Sequence, residues 1–287
     1  MKKIGAIVII GMFLLSGYSV VAASSVSNVS SHTVSPLDDN VPIWTTGNSW
    51  TYTVTNISVT YNQGGQQILM QGSIDDFTWT VTDVSGDYYT VSFTGKLTAT
   101  YNLLLNSQTS SFHLVGSFTP KLTRLKGTIQ FTKASLQVHA MAFQVLGITM
   151  AKINTLSFNL PIPFRLVSQG SLTADFPLFE FPLYTLKTWT LPDLTLTMSS
   201  TFGGIFGIIQ IPFTVSVHYG WMPLAFWTFG KEDVTVPAGT FSAYRVVSLI
   251  SDYFTYYYAA DVGNIAKIDV TLPNGGIHAV LKSTTYP

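Results

Sequence analysis

Val234-Thr235-Val236-Pro237-Ala238-Gly239-Thr240-Phe241-Ser242-Ala243-Tyr244-Arg245-Val246-Val247 is the stretch that decides the fold class. Val234 and Val236 close one strand. Pro237 has its φ fixed near the value needed at the second place of a type I turn. Gly239 stands where φ turns positive, a conformation that a Cβ makes costly. A type I turn closed by a glycine bulge joins antiparallel strands and sets Val236 opposite Phe241. Phe241, Ala243, Val246 and Val247 then begin the return strand. The stretch specifies structure and carries no chemistry.

The strand pattern continues on both sides. Downstream, alternating apolar residues and turn signals predict strands over 253–259, 264–271 and 277–284, with a turn at Pro273-Asn274-Gly275-Gly276. Upstream, Trp221, Phe226, Trp227 and Phe229 crowd the approach, and 202–213 is the most apolar run outside the N-terminal leader. That run is too short and too glycine-rich for a transmembrane helix. It reads either as a buried strand or as an exposed apolar edge. Pro161, Pro163, Pro177, Pro182 and Pro192 argue for edge strands, bulges and extended crossings. Segment 136–150 suits a short helix or a buried strand, and the Val, Thr and Ile residues around it favour strand.

The folded part opens at Trp44-Thr45-Thr46-Gly47-Asn48-Ser49-Trp50. Gly47-Asn48 is turn chemistry, and Trp50, Tyr52 and Val54 then fall on one strand face, with Thr51, Thr53 and Thr55 on the other. Gly64-Gly65 and Ser85-Gly86-Asp87 mark the next turns of an antiparallel meander. A second Trp-led strand starts near Trp189.

The first 23 residues read as a signal peptide: Lys2 and Lys3, an apolar run over 4–15, then small residues at Val20-Val21-Ala22-Ala23. An uncleaved anchor is the alternative, and it is the one route to a membrane that the sequence offers. Residues 24–42, rich in Ser, Val and Asn, read as a flexible linker, and 43–287 as the β domain, with a possible half-boundary near 181. Charged residues are only 10%, and 14 Lys and Arg balance 14 Asp and Glu. Zero net charge gives no long-range pull towards nucleic acid. There is no cysteine, which excludes thiol catalysis, Cys-based metal sites and a lipid-modified cysteine. Asn28 and Asn56 each open a glycosylation sequon.

Several of these signatures together resemble a family of exported β-rich proteins of unknown function. Members open with Trp-x-x-Gly-x-x-Trp-x-Tyr, met here by Trp44, Gly47, Trp50 and Tyr52. They repeat Pro-Leu-x-x-Gly-x-x-Trp, met by Pro182, Leu183 and Trp189, with Leu186 where the pattern has glycine. They close with Val-Pro-Ala-Gly-Thr-Phe and Tyr-Tyr-x-x-x-Val-Gly, met by 236–241, Tyr257-Tyr258 and Val262-Gly263. The resemblance covers the two ends; 86–180 matches only as apolar β sequence. It implies an open, strongly curved barrel like those of lipoprotein carriers, wrapping an apolar cavity for lipid-like ligands. It brings no catalytic residues.

The reactive side chains do not converge. His32, His113, His139, His218 and His278 are scattered, with no metal-ligand spacing among them. In a regular strand the neighbours of Asp75-Asp76 and Glu232-Asp233 point to opposite faces, so neither pair serves as an acid–base couple without a bulge. Asp38-Asp39, and Asp83 with Asp87, offer too few ligands for calcium. No nucleophile elbow or phosphate loop is present. Arg245 is placed to stack on an aromatic ring or to pair with Asp252 or Asp261.

These readings give an all-β protein: a large antiparallel curved sheet or open barrel of about a dozen strands, possibly built as two similar halves led by Trp50 and Trp189. Two functions compete. One is binding of an apolar or lipid-like molecule inside the sheet, with Phe213, Trp221, Phe226, Trp227, Phe229, Tyr244, Tyr256 and Tyr258 as candidate lining residues. The other is a structural or adhesive role at the cell surface or envelope. The expectation is an exported protein without enzymatic activity, cofactor, metal or nucleic-acid partner.

Overall fold

The computed structural model describes residues 40–63, 66–106, 111–153, 158–204, 209–218, 225–248, 254–272 and 275–287. The signal-peptide segment and nearly all of the linker lie outside these residues. The described chain forms fourteen strands: β1 Ser49–Gln63, β2 Gln66–Ser85, β3 Tyr88–Asn106, β4 Ser111–Thr132, β5 Val138–Ile153, β6 Leu160–Phe176 and β7 Thr188–Thr190, then β8 Thr195–Gly204, β9 Ile209–His218, β10 Ala225–Val236, β11 Gly239–Ser248, β12 Phe254–Ala259, β13 Asn264–Leu272 and β14 Gly275–Thr284. A single 3₁₀ turn, Ala260–Val262, is the helical element among the described residues.

All fourteen strands belong to one sheet, ordered β7-β10-β11-β12-β13-β14-β1-β2-β3-β4-β5-β6-β8-β9. Every pairing is antiparallel. The protein is therefore all-β, as the turn chemistry implies. Segment 136–150 falls almost wholly on β5, with Leu136 in the turn before it at φ 52 and fully buried.

The alternation read in the sequence sets the core. Trp50, Tyr52 and Val54 are buried on the concave face of β1, while Thr51, Thr53 and Thr55 are only partly covered. The same period buries Trp79 and Val81, Tyr89, Val91 and Phe93, and Ile129 and Phe131 on the next three strands.

Two contacts show how tightly the sheet curls. The Tyr52 hydroxyl reaches past β14 to donate to the Ile265 carbonyl of β13, at 2.9 Å. The turn between β10 and β11 folds back on β14, where the Ala238 N–H donates to the Leu281 carbonyl at 3.1 Å.

That turn differs from the expected one. Val236 pairs with Gly239, Thr235 with Thr240 and Val234 with Phe241. Pro237 and Ala238 alone make the connection, so no residue is left over to form a bulge, and Phe241 faces Val234, not Val236. Gly239 keeps a positive φ of 144°, the feature for which glycine was singled out.

Between β6 and β7 the chain leaves one wing of the sheet and joins the far edge, where β7 pairs with β10. On the way Leu178, Phe179 and Leu183 are buried. The Tyr256 hydroxyl donates to the Leu178 carbonyl, and the Trp189 indole N–H donates to the Pro177 carbonyl at 3.1 Å. Trp50 opens a strand of 15 residues in mid-sheet, whereas Trp189 sits on an edge strand of 3. The turn before Trp189 places Leu186 at φ 68. Leu186 thus adopts the backbone region that glycine favours.

Candidate functional site: an apolar cavity in the curved sheet

A row of irregularities crosses the middle of the sheet. The register slips near Val54 on β1, between Asp75 and Thr78 on β2, and between Lys96 and Ala99 on β3, with the extra residues of β4 lying between Phe118 and Thr123. Each slip leaves residues unopposed and re-aims the side chains around it. On β2 this reverses the parity: Ile74 and Phe77, an odd number of residues apart, are both buried. Asp76 between them takes φ 49 and stays on the outer face. On β5, Gly147 makes room for the β4 irregularity, since a Cβ there would lie 2.1 Å from the Leu122 carbonyl oxygen.

The bend opens a small cavity of about 60 Å³ under the concave face. Tyr52 and Val54, Phe77 and Trp79, Phe93, Met141 and Phe143 line one side. Asn264, Ile265, Ile268 and Ala279 line the other. The wall is almost wholly carbon. Its polar members are informative: the Trp79 indole N–H and the Asn264 side-chain amide N–H are buried and lack an acceptor. The Asn264 side-chain oxygen is engaged, accepting from the Ile265 N–H at 2.8 Å. The Tyr52 phenol is spent on the Ile265 carbonyl, and burial pushes its pKa far above the usual range. A buried donor left unmatched costs about 1–3 kcal/mol. The cavity therefore offers an apolar surface with no charge, and two of its lining residues carry buried, unmatched N–H groups.

Those residues singled out from the sequence whose side chains the structure describes lie elsewhere. Phe226, Tyr256 and Tyr258 are fully buried in an aromatic cluster with Phe179, Phe181, Trp189 and Phe254, at centroid distances of 5.3–6.4 Å. None of them borders the cavity, because the crossing segment covers them. Trp227 stacks on Phe229 at 4.8 Å, and the Arg245 guanidinium lies 5.2 Å from the Phe229 ring centre, as the aromatic alternative for that arginine anticipates. Tyr244 is buried, with the Lys231 ammonium 5.0 Å from its ring centre. Phe213 is a β9 residue, and Trp221 lies outside the described residues, as does Asn28. Asn56 is exposed at φ 55 on the β1 irregularity.

The lining of the cavity comes instead from β1 to β5 together with β13 and β14. Of its aromatic members, Tyr52 is the one that strand alternation singled out, on the face it shares with Trp50 and Val54. The signal for a site was subtler: Asn264, a polar residue at the head of a strand whose next two residues are buried and apolar.

Other polar side chains pair locally. His139 meets Asp175 at 2.8 Å, His278 meets Asp269, and His113 meets Asn102 at 2.8 Å. Among the described residues no group of three or more His, Cys, Asp or Glu is placed to hold a metal ion.

No protein-family model matches the chain, and no curated protein matches it. Among solved structures it is similar to the crystal structure of a β-barrel-like protein of domain of unknown function DUF1849 from Brucella abortus. Identity is 7%, the match covers 83% of this chain and 97% of that one, and the TM-score is 0.21. The all-β class rests on the strand pairing itself.

Proposed function

We propose that this chain is an exported, non-enzymatic β protein that takes up an apolar or lipid-like molecule within its curved sheet. The observation that carries this reading is the carbon-walled cavity, whose lining holds no charged side chain. A ligand with an apolar body suits that wall.

Size narrows the reading. At about 60 Å³ the cavity is smaller than the ~150 Å³ apolar cavity that holds benzene. A lipid would enter by one end only, with a wall side chain giving way. Met141, unbranched and flexible, suits that part.

The test is native mass spectrometry of protein purified from its own host, repeated after incubation with a host lipid extract. A bound small molecule is expected, and Ala279→Val, which adds carbon to the cavity wall, should reduce its occupancy without lowering the melting temperature. Absence of any bound molecule in both preparations, or equal occupancy in the variant, would overturn the reading. A structural role at the cell surface would then stand in its place.

A further inference from the structure

The outer face of β10 to β13 carries a cation that no described residue neutralises. Phe226 and Tyr256 turn inward and meet in the aromatic cluster, so alternation turns Trp227 and Tyr257 outward. One row of outward residues crosses three strands: Arg245 of β11 pairs with Tyr257 of β12, and Tyr257 pairs with Lys267 of β13. Phe229 and Trp227 of β10 stand at the Arg245 end, with the guanidinium against the Phe229 ring. At the other end the Lys267 ammonium lies 5.3 Å from the Tyr257 ring centre.

The two cations differ in their partners. Lys267 meets Asp269 at 2.8 Å, and Asp269 also meets His278. Arg245 has no such carboxylate. Among the described residues no hydrogen bond or ion pair reaches its guanidinium, and its Nε–H is buried without an acceptor. Glu232 stands opposite Ala243, two residues along on the same face, and does not pair with it. Asp261, on the 3₁₀ turn, does not pair with it either. The side chain is half-buried, and a charge drawn out of water without a counter-ion is costly. Stacking on Phe229 offsets part of that cost, but it uses only the flat face of the guanidinium. The terminal N–H groups lie in the plane of the group and are left to donate.

We propose that Arg245 binds the carboxylate of a small organic acid whose flat apolar body rests against the neighbouring Tyr257 ring. One uncompensated positive charge matches one carboxylate, and the planar fork of the guanidinium matches its two oxygens. A dianion such as phosphate would leave one charge over, because Lys267 is already spent on Asp269. The site lies on the opposite face of the sheet from the apolar cavity and stands independently of it.

Titration calorimetry of the full chain with benzoate tests this, with benzamide as the neutral match and acetate as the carboxylate without a ring. The expected result is saturable binding of benzoate, weaker binding of acetate and none of benzamide over the same range. Arg245→Lys keeps the charge and loses the fork, and should weaken benzoate binding about tenfold. Arg245→Met keeps an apolar stem beside Phe229 and should abolish it; circular dichroism verifies that each variant folds. The comparison of the three probes on the unaltered chain stands even if a variant does not. No saturable binding of benzoate, equal binding of benzamide or acetate, or unchanged binding in folded Arg245→Met would overturn the proposal.

Discussion

Trp44 and Trp50 meet with ring centroids 4.9 Å apart, and their indole N–H groups donate to consecutive carbonyls. Trp44 reaches Gly263 at 2.9 Å and Trp50 reaches Val262 at 2.6 Å. The two tryptophans that open the domain thus clasp the 3₁₀ turn near its end. Trp44 also packs on Phe131 of β4, at 5.4 Å, so one ring joins three distant parts of the chain. Trp44→Ala should cost about 3–5 kcal/mol, and Trp44→Phe about 1–3 kcal/mol for the unmatched carbonyl and lost contact. Denaturant unfolding midpoints check the order.

The partner of that clasp is equally constrained. Gly263 has φ 60, and a Cβ there would sit 2.5 Å from the Tyr286 ring. Gly263→Ala combines left-handed strain with a clash and is expected to destabilise by about 1–3 kcal/mol. Tyr286→Ala in the same background should recover the steric part only, which thermal melts of the two variants will separate.

Leu186 gives a prediction of opposite sign. It is 63% exposed and held at φ 68, a region costing an L-residue about 1–2 kcal/mol. Its backbone N–H, which donates to the Thr228 carbonyl at 2.7 Å, survives substitution. Leu186→Gly should therefore raise stability by about 0.5–1 kcal/mol, after the entropy that glycine adds to the unfolded chain. A lower melting temperature for the variant would contradict this.

Alkaline pH should unfold the protein through its buried phenols. Burial raises the pKa of Tyr52 and of Tyr256 well above the ordinary tyrosine value of 10.0. In the unfolded chain both ionise near 10, while the folded state holds them neutral. The stability they contribute is complete below pH 10 and falls as pH rises beyond it. Tyr52→Phe should flatten that fall while lowering stability at neutral pH by about 1 kcal/mol for the lost hydrogen bond. Melting temperatures from pH 8 to 12 test both halves.

Asp76 acts at the other end of the scale. Hydrogen bonds from Lys282 and Lys96 bring its pKa down to about 2. The stabilisation is present above the unfolded value near 3.8 and is lost as pH falls through about 2. The carboxylate is 40% exposed, so solvent limits the network to at most about 1 kcal/mol. Asp76→Asn should lower the melting temperature at pH 6, approach the wild type as pH falls through about 2, and converge on it in molar salt.

The elements written in local chemistry could be read directly. Turn residues and period-two alternation placed the strands around Trp50, Tyr88 and Phe241, because those signals act between neighbours. The cavity could not be read in that way. It depends on register slips near Asp75 and Phe118, which arise from the competition between adjacent strands. The aromatic residues of 226–258 looked like a pocket because they are numerous; a crossing segment remote in sequence fills the space above Tyr256 and Tyr258. Residues facing a void and residues facing Phe179 carry the same local signature. The register of the Pro237-Ala238 turn differed by a single bulge.

The pairing of β14 with β1 sets Trp50 beside Thr284, so the earliest strand waits for the latest. Until β14 has left the ribosome, one flank of β1 is unpaired. Slow, late closure is the kinetic signature of such distant pairing. The two wings of the sheet are thus joined through β1 and β14 only once both strands have been made.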